Sequence, residues 1–188
     1  LPYTDTVQAK FTNVSQDRPS GPSLVRKLNE YVIENGALWL FSAFNRQFPS
    51  MTERVCKTMS AFVSNASGIS HAHTTFASVR LVKFQEMEYN LPRDHFTDAL
   101  SEIDEMIRHK RIRVHFPIEC RFVRGDDIFL SPAHGRDSAY IAVHMFHGMP
   151  YQDYFERVEA ICTNHGGRPH WGKMHFLKSD DLAPLYPR

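Results

Sequence analysis

Residues two apart on a strand project to the same side, so Glu119 and Arg121 in the run Glu119-Cys120-Arg121 form the first pair with chemistry in it. Arginine offers a rigid fork of donors and glutamate accepts from hydroxyls, a combination that suits a polyhydroxylated ligand. The competing reading is an ordinary ion pair on a solvated sheet. Arg113 and His115 extend the same polar stripe, which is more easily understood if something covers it. His144 and Phe146 share one face of a later strand, where a lone histidine is more often a hydrogen-bonded structural group than a catalyst. The most distinctive run is Arg168-Pro169-His170-Trp171-Gly172-Lys173. It combines an aromatic plane, a small residue that permits close approach and a cation, as a pocket beside a flat cofactor or a sugar needs; the alternative is a turn into a strand with a packed Trp.

Other chemistries find little support. His71-Ala72-His73 could pair two imidazoles, but no third ligand stands nearby in sequence, so no metal is expected. Zincin, Walker, dinucleotide-binding and serine-elbow motifs are missing. Cys56, Cys120 and Cys162 lie far apart and form no CxxC pair, which excludes a zinc ribbon or thioredoxin-type site and leaves one disulfide open. Twenty-two Lys and Arg against 21 Asp and Glu leave a formal charge of +1, so no long-range field attracts nucleic acid or an anionic membrane. Apolar stretches such as Gly36 to Phe44 fall short of the roughly 20 residues a transmembrane helix needs. The opening Leu1-Pro2-Tyr3-Thr4-Asp5 has neither a basic nor an apolar leader region, and reads as the middle of a longer gene product. Asn13-Val14-Ser15 and Asn65-Ala66-Ser67 fit the N-glycosylation pattern. They point to a glycoprotein of the secretory pathway or cell exterior, with a membrane-associated organelle or the cytoplasm as the alternative.

The elements that must position these residues follow from periodicity. With 188 residues, 42% of them hydrophobic, the chain can bury a full core as one domain, or as one domain with an attached lobe. A Pro, Gly and Ser cluster at Arg18 to Ser23 is the one plausible linker, and Leu24, Leu28, Tyr31 and Val32 at helical spacing predict a helix stopped by Asn35-Gly36. A second helical region through Trp39, Leu40, Phe41 and Phe44 breaks near Pro49 and resumes to about Val63. Phe76 to Leu91 reads as a long irregular strand, followed by Pro92 in the first turn of a helix whose stripe is Phe96, Ala99, Leu100, Ile103 and Ile107. Ile112, Val114, Phe116, Ile118, Cys120 and Phe122 alternate as a strand with one buried face. Tyr140 to His147 predicts another strand, Tyr151 to Cys162 a helix ended by Gly166-Gly167, and Trp171 to Leu177 a last strand. Together these predict an α+β domain: a mostly antiparallel sheet with helices on one face and the other face free to make a site.

Arg168 to Lys173 resembles the RPHWGK motif of the aldonolactone oxidases, the family of L-gulonolactone, D-arabinonolactone and gluconolactone oxidases. Three further segments are similar to that family in order: Pro2-Tyr3-Thr4-Asp5, Phe84-Gln85-Glu86-Met87-Glu88-Tyr89 with Pro92, and Glu119-Cys120-Arg121 followed by Asp126-Asp127, the last shared with alditol oxidases. The resemblance implies a flavoenzyme of the vanillyl-alcohol-oxidase type, in which residues 1–188 are the substrate-binding cap and FAD is held mainly by a domain outside this chain. Its partners would be that FAD-binding domain or chain and a small sugar lactone. The implied reaction oxidises the lactone at C2 to an ascorbate-type product, with hydride passing to flavin N5 and O2 as acceptor. By motif, Glu119 and Arg121 hold and polarise the reacting hydroxyl, and Lys173 is a second cation near substrate and flavin. His144 matches a pocket-strand histidine, and Phe146 stands where alditol oxidases carry a small hydroxyl residue. His115 joins these two among the substrate-side candidates, while His170 and Trp171 are candidates for the cofactor side, as pocket wall or support. The chain alone is expected to show no flavin colour and no turnover. A polyol-oxidase cap and a carbohydrate-binding module without redox chemistry are the competing expectations.

Overall fold

The computed structural model describes residues 2–5, 7–18, 35–61, 67–72 and 80–186. The predicted helix from Leu24 to Val32 and nearly all of the linker ahead of it lie outside these residues. So do the end of the second helical region at Val63, the first residues of the long predicted strand, His73 and Asn65. The chain divides into two compact units that meet at Lys83 and Phe84.

In the first unit, helix α1 (Asn35–Gln47) is followed by a 3-10 turn (Pro49–Met51) and helix α2 (Thr52–Ala61). Proline at the start of that turn breaks the helix as expected, and the Thr52 hydroxyl donates to the Pro49 carbonyl at 2.6 Å. Asn35 and Gly36, expected to stop a helix that lies outside the described residues, are themselves the first residues of α1, and the Asn35 side chain accepts from the Leu81 backbone N–H at 3.0 Å. Asn13 lies on an exposed segment.

The second unit is built on a four-stranded antiparallel sheet: β1 (Phe84–Pro92), β2 (Glu119–Val123), β3 (Ser138–Phe146) and β4 (Arg168–Pro169), in the order β2-β3-β1-β4. β1 and β3 pair along all nine residues of each, from Phe84 opposite Phe146 to Pro92 opposite Ser138. Period 2 then sorts the side chains. Met87, Tyr89, Leu91, Ala139, Ile141, Val143 and Met145 share one face and are essentially sealed from water. Helices α3 (Phe96–Lys110) and α4 (Gln152–Asn164) bury Ala99, Ile103 and Ile107, and Tyr154, Phe155, Val158 and Cys162; they pack on each other, and α4 packs on β1. A short helix, α5 (Ser179–Leu182), follows near the end. The α+β architecture with helices against one face of an antiparallel sheet is the one that the periodicities predict.

Glycine closes α4. Gly166 sits at φ 72° and the Gly167 N–H reaches back to the Cys162 carbonyl at 2.8 Å; a Cβ on Gly167 would lie 2.5 Å from that same oxygen, so only glycine fits. The α4 carboxylate Glu159 is buried and accepts from the Tyr89 hydroxyl at 2.5 Å and the Phe176 N–H at 2.9 Å, tying helix, sheet and C-terminal segment together. Cys56, Cys120 and Cys162 are all free thiols, so no disulfide links them.

Two strand expectations are corrected. Only Glu119–Val123 of the predicted strand from Ile112 to Phe122 pairs with the sheet. Pro117 has no N–H to offer a ladder, and the chain reaches the sheet edge only after it. Because β2 is an edge strand, Cys120 and Phe122 stay exposed where burial was expected; the Phe122 ring meets that of Phe96, 4.9 Å away, and the Arg93 guanidinium. The predicted final strand from Trp171 to Leu177 is a turn and loop that touches the sheet at one isolated bridge, Met174 with Met87.

Candidate functional site

The sheet face turned away from the helices carries Glu86, Glu88 and Asn90 from β1, Tyr140 and His144 from β3, and Glu119 and Arg121 from β2. Cross-strand register makes this one surface. Arg121 stands opposite Tyr140, which stands opposite Asn90; Glu119 and Glu88 both stand opposite Ala142; Glu86 faces His144.

The run after β4 brings in the remaining cation. The His170 N–H donates to the Glu88 carbonyl at 2.9 Å and the Met174 N–H to the Glu86 carbonyl at 3.0 Å, so residues 171–173 bulge out between two anchors on β1. The bulge is closed by the Lys173 N–H on the His170 carbonyl, and the Gly172 N–H donates to His170 Nδ1 at 3.1 Å. Lys173 is thereby aimed back over β1. Its Nζ lies 2.5 Å from Glu86 Oε1 and 2.6 Å from Glu88 Oε2.

Arg121 reaches across β3 and donates through Nη2 to Glu88 Oε1. Glu88 is 1% exposed, yet both its oxygens are engaged by cations, which is the condition on which a carboxylate can be buried. On the other side of Glu86, His144 Nε2 stands 3.2 Å away, with Nδ1 3.3 Å from the Pro117 carbonyl. Partial burial pushes the Glu86 carboxyl up, but hydrogen bonds from His144 and Lys173 outweigh it and hold the group down at about 2. Five groups thus form one chain across the sheet: His144, Glu86, Lys173, Glu88, Arg121.

Beside this chain opens a cavity of 260 Å³ lined by Glu88, Arg121, Val123, Tyr140, His170 and Lys173. Arg121 is half exposed and Lys173 mostly covered, so a cavity occupant meets the guanidinium directly and the ammonium at its inner wall. Burial, helped by the Glu88 charge and opposed by a hydrogen bond with Asn90, holds the Tyr140 hydroxyl above the ordinary phenol range, so it stays a neutral phenol. The site is small, polar and two-sidedly cationic, suited to an uncharged, oxygen-rich molecule that gains negative charge on one oxygen.

Of the sequence-predicted residues, Arg121, Lys173 and His170 line the cavity together. Glu119 shares the face and the cross-strand row of Glu88 but does not line the cavity, and the carboxylate paired with Arg121 is Glu88. His144 enters through Glu86. Phe146 is on the His144 face at the far end of β3, packed near His115. His115 departs from the expected exposed stripe: it is fully buried among aromatic rings before β2 begins, and desolvation lowers its imidazole to about 4. Trp171 turns from the cavity, its indole N–H on the Leu130 carbonyl at 2.8 Å and its ring 5.0 Å from that of Tyr186. Sequence reasoning missed Glu86, Glu88 and Tyr140. The signal was available for the first two, since they stand two apart on a predicted strand as Glu119 and Arg121 do. Among the described residues no cluster of metal ligands occurs, and no helix is long and apolar enough to cross a membrane.

Fold and site together define an α+β domain with an ion-paired cavity on the open face of its sheet. The family profile for D-arabinono-1,4-lactone oxidase matches residues 1–188, and the chain belongs to that family. It is 39% identical over 189 residues to an L-gulono-1,4-lactone dehydrogenase of Mycobacterium tuberculosis, covering 100% of this chain and 44% of that protein. An L-gulonolactone oxidase of Mus musculus is 36% identical over 121 residues, covering 62% of this chain and 28% of its own length. An alditol oxidase of Streptomyces sp. is 35% identical over 106 residues, or 55% of this chain and 25% of that protein. The chain therefore spans less than half the length of these relatives.

Proposed function

We propose that this chain is the substrate-binding cap of an FAD-dependent oxidoreductase that oxidises sugar 1,4- or 1,5-lactones at C2. The observation that carries the reading is the cavity in which Arg121 and Lys173, from opposite edges of the sheet, converge on one buried carboxylate. The family membership and the names of the similar proteins support the lactone as substrate class.

The residues present fit the cofactor's reactive ring. Two cations and the His170 imidazole at a cavity wall suit a ring system that gains negative charge on reduction, and a neutral Tyr140 adds no charge against it. His170 and Lys173 would hold the ring edge, the remainder being bound by a domain outside this chain, with Trp171 bracing the bulge from behind through Leu130. When bound, FAD supplies acceptance of a hydride from carbon, and O2 is the proposed final acceptor.

The protein's own part is orientation and electrostatics. Arg121 donates to the reacting hydroxyl oxygen and stabilises the negative charge that develops there as the carbon is oxidised. Lys173 adds a second positive charge at the inner wall, held in place by its two carboxylates. Glu119 accepts from a neighbouring hydroxyl of the sugar, and Tyr140 donates to another of its oxygens. His144 buttresses Glu86 rather than touching substrate, and Phe146 and His115 support β3 from its end.

Steady-state oxidation by the full-length protein tests the reading, with L-gulono-, D-arabinono-, L-galactono- and gluconolactone compared against the matching alditols. Lactones are expected to turn over with the higher kcat/KM, and Arg121→Leu to lose most of that activity. Faster oxidation of alditols would transfer the assignment to polyol oxidases, and wild-type rates in Arg121→Leu would remove its mechanism. The isolated chain should purify colourless and bind lactone weakly by calorimetry; tight binding without flavin would favour a carbohydrate-binding module.

A further inference from the structure

The two cations of the cavity come from parts of the sheet that have no direct connection. Arg121 is on β2, at one edge, and Lys173 is on the bulge that follows β4, at the other. Left alone, like charges brought to one cavity repel and swing apart. Among the described residues, Glu88 on β1 is the one group that touches both, Oε1 taking Arg121 and Oε2 taking Lys173. Its side chain is 1% exposed, so surrounding packing fixes its rotamer, and its backbone carbonyl also holds the His170 N–H at the start of the bulge. Glu86 by contrast touches Lys173 and His144 but not Arg121.

We propose that Glu88 is the positioning residue of the site: its buried carboxylate, engaging one cation with each oxygen, sets the separation of Arg121 and Lys173 and hence the spacing of the two positive charges that meet the reacting oxygen. This rests on the lactone-oxidising reading above. It assigns to a residue without a role of its own in the reaction the geometry on which that reaction depends. A carboxamide in the same place keeps the shape but presents an N–H2 donor to one of the two cations, so that cation is released.

In the full-length protein, Glu88→Gln is expected to lower kcat on the preferred lactone about tenfold or more while KM changes less than about threefold, because charge spacing matters most where charge develops. Glu86→Gln should cost less, and Glu88→Asp, which restores the charge on a shorter arm, should recover part of the loss. Equal kcat in wild type and Glu88→Gln overturns the proposal, as does a loss common to the Gln and Asp variants that only tracks a lower folded fraction in thermal melts. A crystal structure of Glu88→Gln decides the matter independently of turnover. Displacement of Arg121 or Lys173 supports the positioning role, and both side chains in their original places refute it. Failure of the wild-type protein to oxidise any lactone removes the functional reading alone, since the variant's structure still judges Glu88.

Discussion

The two faces of the sheet share the same strands and solve burial by opposite means. On β1, Met87, Tyr89 and Leu91 point toward α3 and α4, while the intervening Glu86, Glu88 and Asn90 point to the open face. The helix-covered face is held by apolar area and packing, contributions that are spread over many contacts and tolerate exchange between similar shapes. The open face is held by charge matching around Glu86 and Glu88, each engaged by a cation or imidazole, so that each removal leaves a specific partner unmatched. The difference teaches where substitutions should read out: as stability on one face and as chemistry on the other.

The sharpest way to break that comparison is Lys173→Met in the full-length protein. Glu88 keeps Arg121 and Glu86 keeps His144, so the fold should survive. Activity on lactones should fall by roughly a hundred- to thousandfold in kcat/KM, the scale of losing one charge-stabilising donor. Retained activity, measured at steady state, would show the open face to be structural after all. Its counterpart on the helix side is Ile141→Ala, a buried large-to-small change expected to cost about 2–5 kcal/mol by urea unfolding while leaving kcat of the folded protein near wild type.

Acid should separate two further groups. His115 is held neutral, at about 4, against 6.5 in its ordinary state. The unfolded chain therefore binds its proton first, and the stability present above pH 6.5 is lost as pH falls toward 4, by on the order of 3 kcal/mol. Thermal melts of His115→Phe across this window should show a flatter slope than wild type, and identical slopes would place the titration elsewhere. Glu86 has the smaller effect and a lower window. Its carboxyl is depressed from 4.5 to about 2, so its contribution is intact above pH 4.5 and disappears as pH falls to 2. Glu86→Gln should remove about 1–2 kcal/mol of that acid sensitivity, a figure reduced for partial exposure. An unchanged melting curve below pH 4.5 would mean that its partners contribute nothing to the fold.

Local pattern decided much of this protein. The α3 stripe from Phe96 to Ile107 and the α4 spacing closed by Gly166-Gly167 appear where sequence periodicity puts them, because the buried positions repeat at the period of the helix; the strand expected from Tyr140 to His147 is there as Ser138–Phe146, though buried on both faces. The run from Arg168 to Lys173 stood out by residue types, and through the family resemblance it pointed to His170 and Lys173, both of which line the cavity. Pairing was decided elsewhere. Alternation from Ile112 to Phe122 looks like one strand, yet Pro117 and the position of β2 at the sheet edge leave only its second half paired and send His115 into the interior. Glu119 and Arg121 look like an ion pair because they are near in sequence, whereas Arg121 finds Glu88, which stands 33 positions earlier. Which carboxylate meets which cation depends on strand order and register, and those are fixed by how the apolar faces of β1 and β3 align under the helices, a non-local choice that no window of sequence contains.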